Sequence, residues 1–254
     1  IFFGSTSDSV IVLDKLCQVS GVRCQAVVTQ PPRPVGRKQA LTPTPVELWA
    51  KTHNIPVLSF PNHPDHPNLF LNEQAAIDTL QPFKADLLVS ASYGQKIPTQ
   101  TIRGSKFGGL NVHPSILPRW RGADPVPWAI LSGDHQTGVT IVTLSETFDS
   151  GTIIAQKKNP ITDRDFAEPL RTKLFELGAE LLVQVLPDVS SYPTPGVYKA
   201  HTSGKFPYAR RLTRDDGFIP WELIDKAIVG EDIPQANRPG MLSFGIGHLS
   251  LSIS

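Results

Sequence analysis

In the run GLNVHPSILP, Gly109 to Pro118, two side chains are suited to chemistry: Asn111 and His113. A spacing of two puts both on one face of a strand, and Pro114 and Pro118 say that the strand stops there. An amide and an imidazole are therefore presented side by side at a strand's carboxyl end. The amide is a donor for a carbonyl oxygen that gains negative charge, and the imidazole is the group to handle the proton of an attacking amine. Together they suit direct acyl or formyl transfer to an amine, with no covalent enzyme intermediate. No serine sits in a G-x-S-x-G turn and no cysteine is placed as a nucleophile. No third ligand at metal spacing accompanies His113. The plain alternative is a pair of satisfied polar groups at a strand end.

Such a site benefits from a carboxylate that orients the imidazole. Asp149, in SETFDSGTII between two strand-like runs, is the candidate, with Gly151 giving the turn backbone freedom. Aspartate is also common in turns for local reasons alone. A second feature is the loop QPPRPVGRKQALTPTP, Gln30 to Pro45, where Arg33, Arg37 and Lys38 stand among prolines. Clustered cations on an exposed loop grip phosphates without reading sequence, although a merely solvated loop looks the same. Arg119-Trp120-Arg121-Gly122 either lines a substrate channel or packs as structure. His63 and His66 in PNHPDHPN read as an exposed loop rather than a metal site. Gly4-Ser5-Thr6 lacks the G-x-G-x-x-G pattern, which disfavours a nicotinamide cofactor.

These side chains need a scaffold. Strand patterns at Ile1–Gly4, Cys24–Thr29, Pro56–Phe60, Asp86–Ala91, Gly108–Val112, Val139–Leu144 and Ile153–Gln156 alternate with helical ones, the first capped by the run Ser5-Thr6-Ser7-Asp8 and extending through about Val19, the others at Val46–His53, Leu69–Leu80, Pro127–Ser132 and Phe166–Leu186. The alternation predicts an α/β domain over 1–187 with a mostly parallel sheet, whose site lies beyond the carboxyl ends of the strands. Ser, Pro, Tyr and Gly then dominate a linker over 188–206. Residues 207–254 read as a short or incomplete β-rich module, with a helix near Trp221–Val229 and strands at Met241–Ile246 and His248–Ile253. A net charge of +1 leaves any RNA contact to a local patch. Two cysteines, Cys17 and Cys24, read as buried reduced thiols. Neither a membrane span nor a signal peptide is expected. The start at Ile1 instead of Met is read as a trimmed N-terminus.

Residues 108–151, GGLNVHPSILPRWRGADPVPWAILSGDHQTGVTIVTLSETFDSG, resemble the central signature of the folate-dependent formyltransferases, whose N-x-H-x-S-[LI]-L-P core and D-[ST]-G are specific together. VVTQPPRPVGRKQALTPTPVELWA and ASYGQKIP are similar to the branch of that family that acts on methionyl-tRNA. The resemblance implies a Rossmann-like catalytic domain, 10-formyltetrahydrofolate as donor, and the α-amino group of methionyl-initiator tRNA as acceptor, with no metal. It carries the catalytic roles to Asn111, His113 and Asp149. It carries folate contacts to Ser115, Ile116, Leu117, Pro118, Tyr93 and Gly94, and tRNA contacts to Arg37 with its neighbours Arg33 and Lys38. It implies a monomer in the cytoplasm, or in an organelle matrix. Pro114 departs from the glycine of many relatives. YARRLTRDDGFIPWELIDKAI resembles the entry to the family's C-terminal β-barrel, and the sequence ends at Ser254, short of a full barrel. A formyltransferase for a small amine such as an amino sugar nucleotide, and a non-catalytic folate- or RNA-binding module, are the alternative readings.

Overall fold

The computed structural model of the chain describes residues 1–192, 206–213 and 216. Its elements in chain order are β1 (Phe2–Phe3), α1 (Ser7–Cys17), β2 (Val27–Thr29), β3 (Arg33–Val35), β4 (Ala40–Thr42), α2 (Pro45–Thr52), β5 (Val57–Ser59), α3 (Glu73–Leu80), β6 (Leu88–Ala91), α4 (Thr99–Gly104), β7 (Gly109–His113), β8 (Arg121–Gly122), α5 (Pro125–Leu131), β9 (Gln136–Thr143), β10 (Ile153–Pro160), α6 (Ala167–Val185) and β11 (Tyr208–Ala209). One seven-stranded sheet has the order β10-β9-β7-β6-β1-β2-β5. All neighbours from β7 to β5 are parallel, while β9 runs antiparallel to β7 and β10 antiparallel to β9. This is the α/β architecture with a mostly parallel sheet that the alternation of patterns predicts, in the Rossmann-like form that the resemblance implies.

Both faces of the sheet are covered, so its inner strands β1, β2, β6 and β7 are built largely of buried apolar residues, whereas the edge strand β10 exposes Gln156, Lys157 and Lys158. Phe2, Val27, Val89 and Val112 point into a core shared with α1, α2 and α6, whereas Phe3, Val28 and Leu88 point into one shared with α3 and α4. Adjacent residues part company because strand side chains alternate. Caps set the helix starts. Thr6 accepts from the Ser9 amide while Ser9 Oγ accepts from the Thr6 amide, and Thr44 accepts from the Glu47 amide with Pro45 in the first turn. Helix α3 starts at Glu73 and not at Leu69. Asn72 caps it through the Ala75 amide at 3.0 Å, and Phe70 is held back in a bridge to Asn62.

The basic loop differs from its expectation in form. It contains the antiparallel hairpin β3–β4, with Arg33 opposite Thr42 and Val35 opposite Ala40. All six of its strand residues are exposed, so no burial period marks it in the sequence. Strand β10 runs past Gln156 to Pro160, and α4 is an added short helix. Cys17 and Cys24 are free thiols. Among the described residues no helix is long and apolar enough to cross a membrane.

A 3₁₀ turn at Leu186–Ser191 takes up the start of the stretch expected as a linker, 188–206, of which residues 193–205 lie outside the described residues. The helix expected near Trp221–Val229 and the strands expected at Met241–Ile246 and His248–Ile253 lie outside the described residues. The first residues beyond the linker are described, and they lie on the α/β domain, where β11 pairs in parallel with β8.

Candidate active site

Asn111 and His113 share one face of β7, which runs one residue beyond Val112 and includes His113 itself. The strand lies between β6 and β9, with Asn111 beside Ser90 and Val142 and His113 beside Thr140. Asp149 reaches both side chains from the turn between β9 and β10. Its Oδ1 accepts from Asn111 Nδ2 at 3.1 Å and stands 3.4 Å from His113 Nδ1. Its Oδ2 accepts from the Gly122 amide at 3.0 Å. The His113 and Asp149 side chains are only 5% and 7% exposed, so water does little to weaken these contacts.

The partners fix the protonation pattern. The other ring nitrogen of His113, Nε2, is 2.8 Å from the Trp120 carbonyl oxygen. A carbonyl only accepts, so Nε2 carries a hydrogen and Nδ1 is the nitrogen left to gain or lose a proton, facing the carboxylate. A carboxylate likewise only accepts, which orients the Asn111 amide with Nδ2 toward Asp149 and leaves a second Nδ2 hydrogen for a ligand.

Local backbone explains why Asp149 gets there. Its φ is +53°, a left-handed conformation that Asp tolerates better than most residues. Gly151 serves by its lack of a side chain: a Cβ there would lie 1.9 Å from the Thr143 carbonyl oxygen. The turn is pinned as Thr143 Oγ1 accepts from the Thr152 amide at 2.8 Å and Arg121 Nη1 donates to Ser150 Oγ at 3.0 Å.

Asn111, His113 and Asp149 lie on the wall of a cavity of about 570 Å³, a size that suits a small-molecule ligand. Tyr93 and Gly94 line it as well. Tyr93 is 4% exposed, and burial raises its phenol well above the usual range. Its hydroxyl and Gln95 Oε1, also in the lining, find no hydrogen-bond partner among the described residues. Ser115, Ile116, Leu117 and Pro118 do not line this cavity. Ser115 Oγ donates to the Arg119 carbonyl oxygen at 2.8 Å, the Leu117 amide donates to Thr140 Oγ1, and the Leu117 carbonyl accepts from Gln156 Nε2 at 2.9 Å. These four residues build the loop that carries Trp120 and Gly122 to the site. The structure separates the basic trio. Arg33 lines the cavity and donates to Gln30 Oε1, while Arg37 and Lys38 sit at the exposed hairpin turn.

Of the two readings for Arg119-Trp120-Arg121-Gly122, packing holds for the first two. The Arg119 guanidinium and the Trp120 indole all donate to Asp134, at 2.7–2.9 Å. His63 and His66 stack at 5.3 Å on an exposed loop. Several contributors are not visible in the sequence: the Gly122 amide, the Trp120 carbonyl, and Arg171, whose Nε donates to the buried Asp8 at 2.6 Å across 163 positions. Backbone groups carry no residue signal, and a pair that distant has no local pattern. The glycine that ends RWRG is the one available hint.

Residues 1–186 match the family described as Formyl transferase. The methionyl-tRNA formyltransferase of Listeria innocua is 42% identical over 231 residues, which cover 91% of this chain and 70% of that protein. Among solved structures, phosphoribosylglycinamide formyltransferase from Bacillus halodurans superposes with a TM-score of 0.59 at 26% identity, covering 75% of this chain and 94% of that one. A sugar N-formyltransferase from a Shewanella species gives a TM-score of 0.58 at 19% identity, covering 85% and 77%.

Proposed function

The chain belongs to the formyl transferase family, and from that premise we propose that it transfers the formyl group of 10-formyltetrahydrofolate to the α-amino group of methionyl-initiator tRNA. One observation carries the reading. An amide and an imidazole from β7 meet one carboxylate at 3.1 and 3.4 Å on the wall of a cavity that Arg33, at the base of a cationic hairpin, also lines. The free Asn111 Nδ2 hydrogen is the donor for the formyl oxygen as the amine attacks and charge builds there. The proton that the amine loses goes to His113 Nδ1, directly or through a water. Once Nδ1 holds it, the 3.4 Å contact with Asp149 becomes a charge-assisted hydrogen bond. The proton then leaves with the folate nitrogen, and no bond forms between enzyme and formyl carbon.

The cavity suits the folate donor. Tyr93 Oη and Gln95 Oε1, buried and without partners among the described residues, are polar atoms that a pterin's hydrogen-bonding edge would satisfy. Tyr93 and Gly94 are therefore the folate wall, and Ser115 to Pro118 act through the loop that they hold. Arg37 and Lys38 at the hairpin tip meet tRNA phosphates, and Arg33 meets those nearest the cavity. The protein works as a monomer in the cytoplasm, or in an organelle matrix.

The test is formyl transfer to charged initiator tRNA, and to small amines including an amino sugar nucleotide, with the native chain and with His113→Ala. The expected result is transfer to charged tRNA, lost in His113→Ala while folate binding persists. Transfer to the small amine alone would overturn the acceptor, and folate binding without any transfer would leave a binding module.

A further inference from the structure

The segment that follows the linker is tied to the active-site loop by its backbone. The Pro207 carbonyl accepts from the Trp120 amide at 3.2 Å, and the Ala209 carbonyl accepts from the Ala123 amide at 2.7 Å. The Arg210 carbonyl accepts from the Trp128 indole at 2.8 Å, and Asp124 Oδ2 accepts from the Leu212 amide at 2.7 Å. Ala209 is fully buried beneath these bonds. The position of Tyr208 is thus set without help from its own side chain, which is free for another task.

The ring of Tyr208 lies against Gly122, the residue whose amide holds Asp149. A Cβ on Gly122 would stand 2.8 Å from Tyr208 Cζ. Yet Tyr208 is 60% exposed, and it lines the cavity together with the cationic side chains of Arg33, Arg171 and Arg211. Partial burial and then the neighbouring Asp149 charge raise its phenol, so the hydroxyl stays protonated and the ring neutral. A neutral aromatic surface against the residue that holds Asp149, in a cavity that cations also line, is an arrangement that suits unpaired nucleotides.

We propose that Tyr208 is the platform on which the 3′-terminal base of the acceptor tRNA stacks. The inference rests on the reading that the acceptor is charged tRNA. The amino acid is esterified to the terminal ribose, so a base attached to that ribose has to sit close to Asn111, His113 and Asp149 when the amine reaches them. Tyr208 is an aromatic ring exposed on that side of Asp149. Stacking tolerates any base, so the platform would orient the end of the strand without reading its sequence.

The test is a double-mutant cycle in binding by the full chain. Uncharged initiator tRNA, intact or with an abasic 3′-terminal ribose, is titrated against the native protein, Tyr208→Leu and Tyr208→Phe. Leu keeps bulk over Gly122 without a π-face. Native protein and Tyr208→Phe are expected to prefer intact tRNA by about 5- to 150-fold, the range for one stacked base. Tyr208→Leu is expected to bind both tRNAs like the native protein binds the abasic one. With 2-aminopurine as the terminal base, quenching is expected for native and Phe and not for Leu. Equal losses on both tRNAs would make Tyr208 a structural prop and overturn the platform, as would quenching retained in Tyr208→Leu. The cycle reads binding only. Loss of the platform with formyl transfer intact, or the reverse, separates this inference from the activity on which it rests.

Discussion

Asp149→Asn isolates charge from shape. Asn has the same size and accepts the left-handed φ of +53° as readily as Asp, so the turn should keep its course. The hydrogen-bond arithmetic, however, fails. Asp149 faces two donors, Asn111 Nδ2 and the Gly122 amide, on different oxygens. An asparagine has one acceptor oxygen for the two of them. With that oxygen toward Asn111, its NH₂ opposes the Gly122 amide. With the oxygen toward Gly122, its NH₂ opposes Asn111 Nδ2, and Asn111 must turn its own oxygen inward, which swings away the donor meant for the formyl oxygen. In the second arrangement the new NH₂ also donates to His113 Nδ1, occupying the nitrogen that takes the amine's proton. Losing the oriented donor costs about 10²–10³-fold, and losing proton transfer costs about 10²–10⁴-fold. The two act as a unit and do not multiply fully, so a fall of about 10³–10⁴-fold in kcat is expected. Stability should drop by only about 1–3 kcal/mol, the cost of one buried group left without its partner. Single-turnover formyl transfer to charged tRNA, beside thermal unfolding, checks both numbers. Asp149→Asn within 10-fold of native turnover, with the fold intact, would refute the role given to this carboxylate.

Gly122→Ala puts a methyl 2.5 Å from the Ala209 carbonyl oxygen at a φ of +115°. It should cost about 1–3 kcal/mol in thermal or urea unfolding, and it should slow transfer by moving the amide that holds Asp149. The pair Arg37→Ala and Lys38→Ala should leave kcat intact and reduce the slope of log affinity for tRNA against log salt by about 0.7–0.9 per cation removed. An unchanged slope would place the hairpin tip away from the phosphates.

How much of this was legible in the sequence varies from residue to residue, for physical reasons. Asn111 and His113 announced themselves because a spacing of two on an apolar strand fixes a shared face whatever surrounds it. The parallel sheet followed from alternating patterns, since strands covered on both sides are short, mostly apolar runs set between amphipathic helices. Caps such as Thr6 and Thr44 act over three residues and are equally readable. The hairpin β3–β4 was hidden because exposed strands have no burial pattern and its prolines argue for loop. From spacing alone Asp149 was a candidate with an ordinary local explanation; the family resemblance singled it out, and the structure sets its side chain against both partners.

The sequence by itself determined the fold class, the shared strand face of the Asn111 amide and the His113 imidazole, and the positive charge of the loop after the second strand. These are properties of neighbouring residues and their periodicity. Only the tertiary structure decided which nitrogen of His113 faces the carboxylate, that Gly122 lends its amide to Asp149, and that Tyr208 returns from beyond the linker to stand beside them. Those contacts join backbone atoms and residues far apart in the chain, and no local pattern encodes a meeting that long-range packing alone brings about.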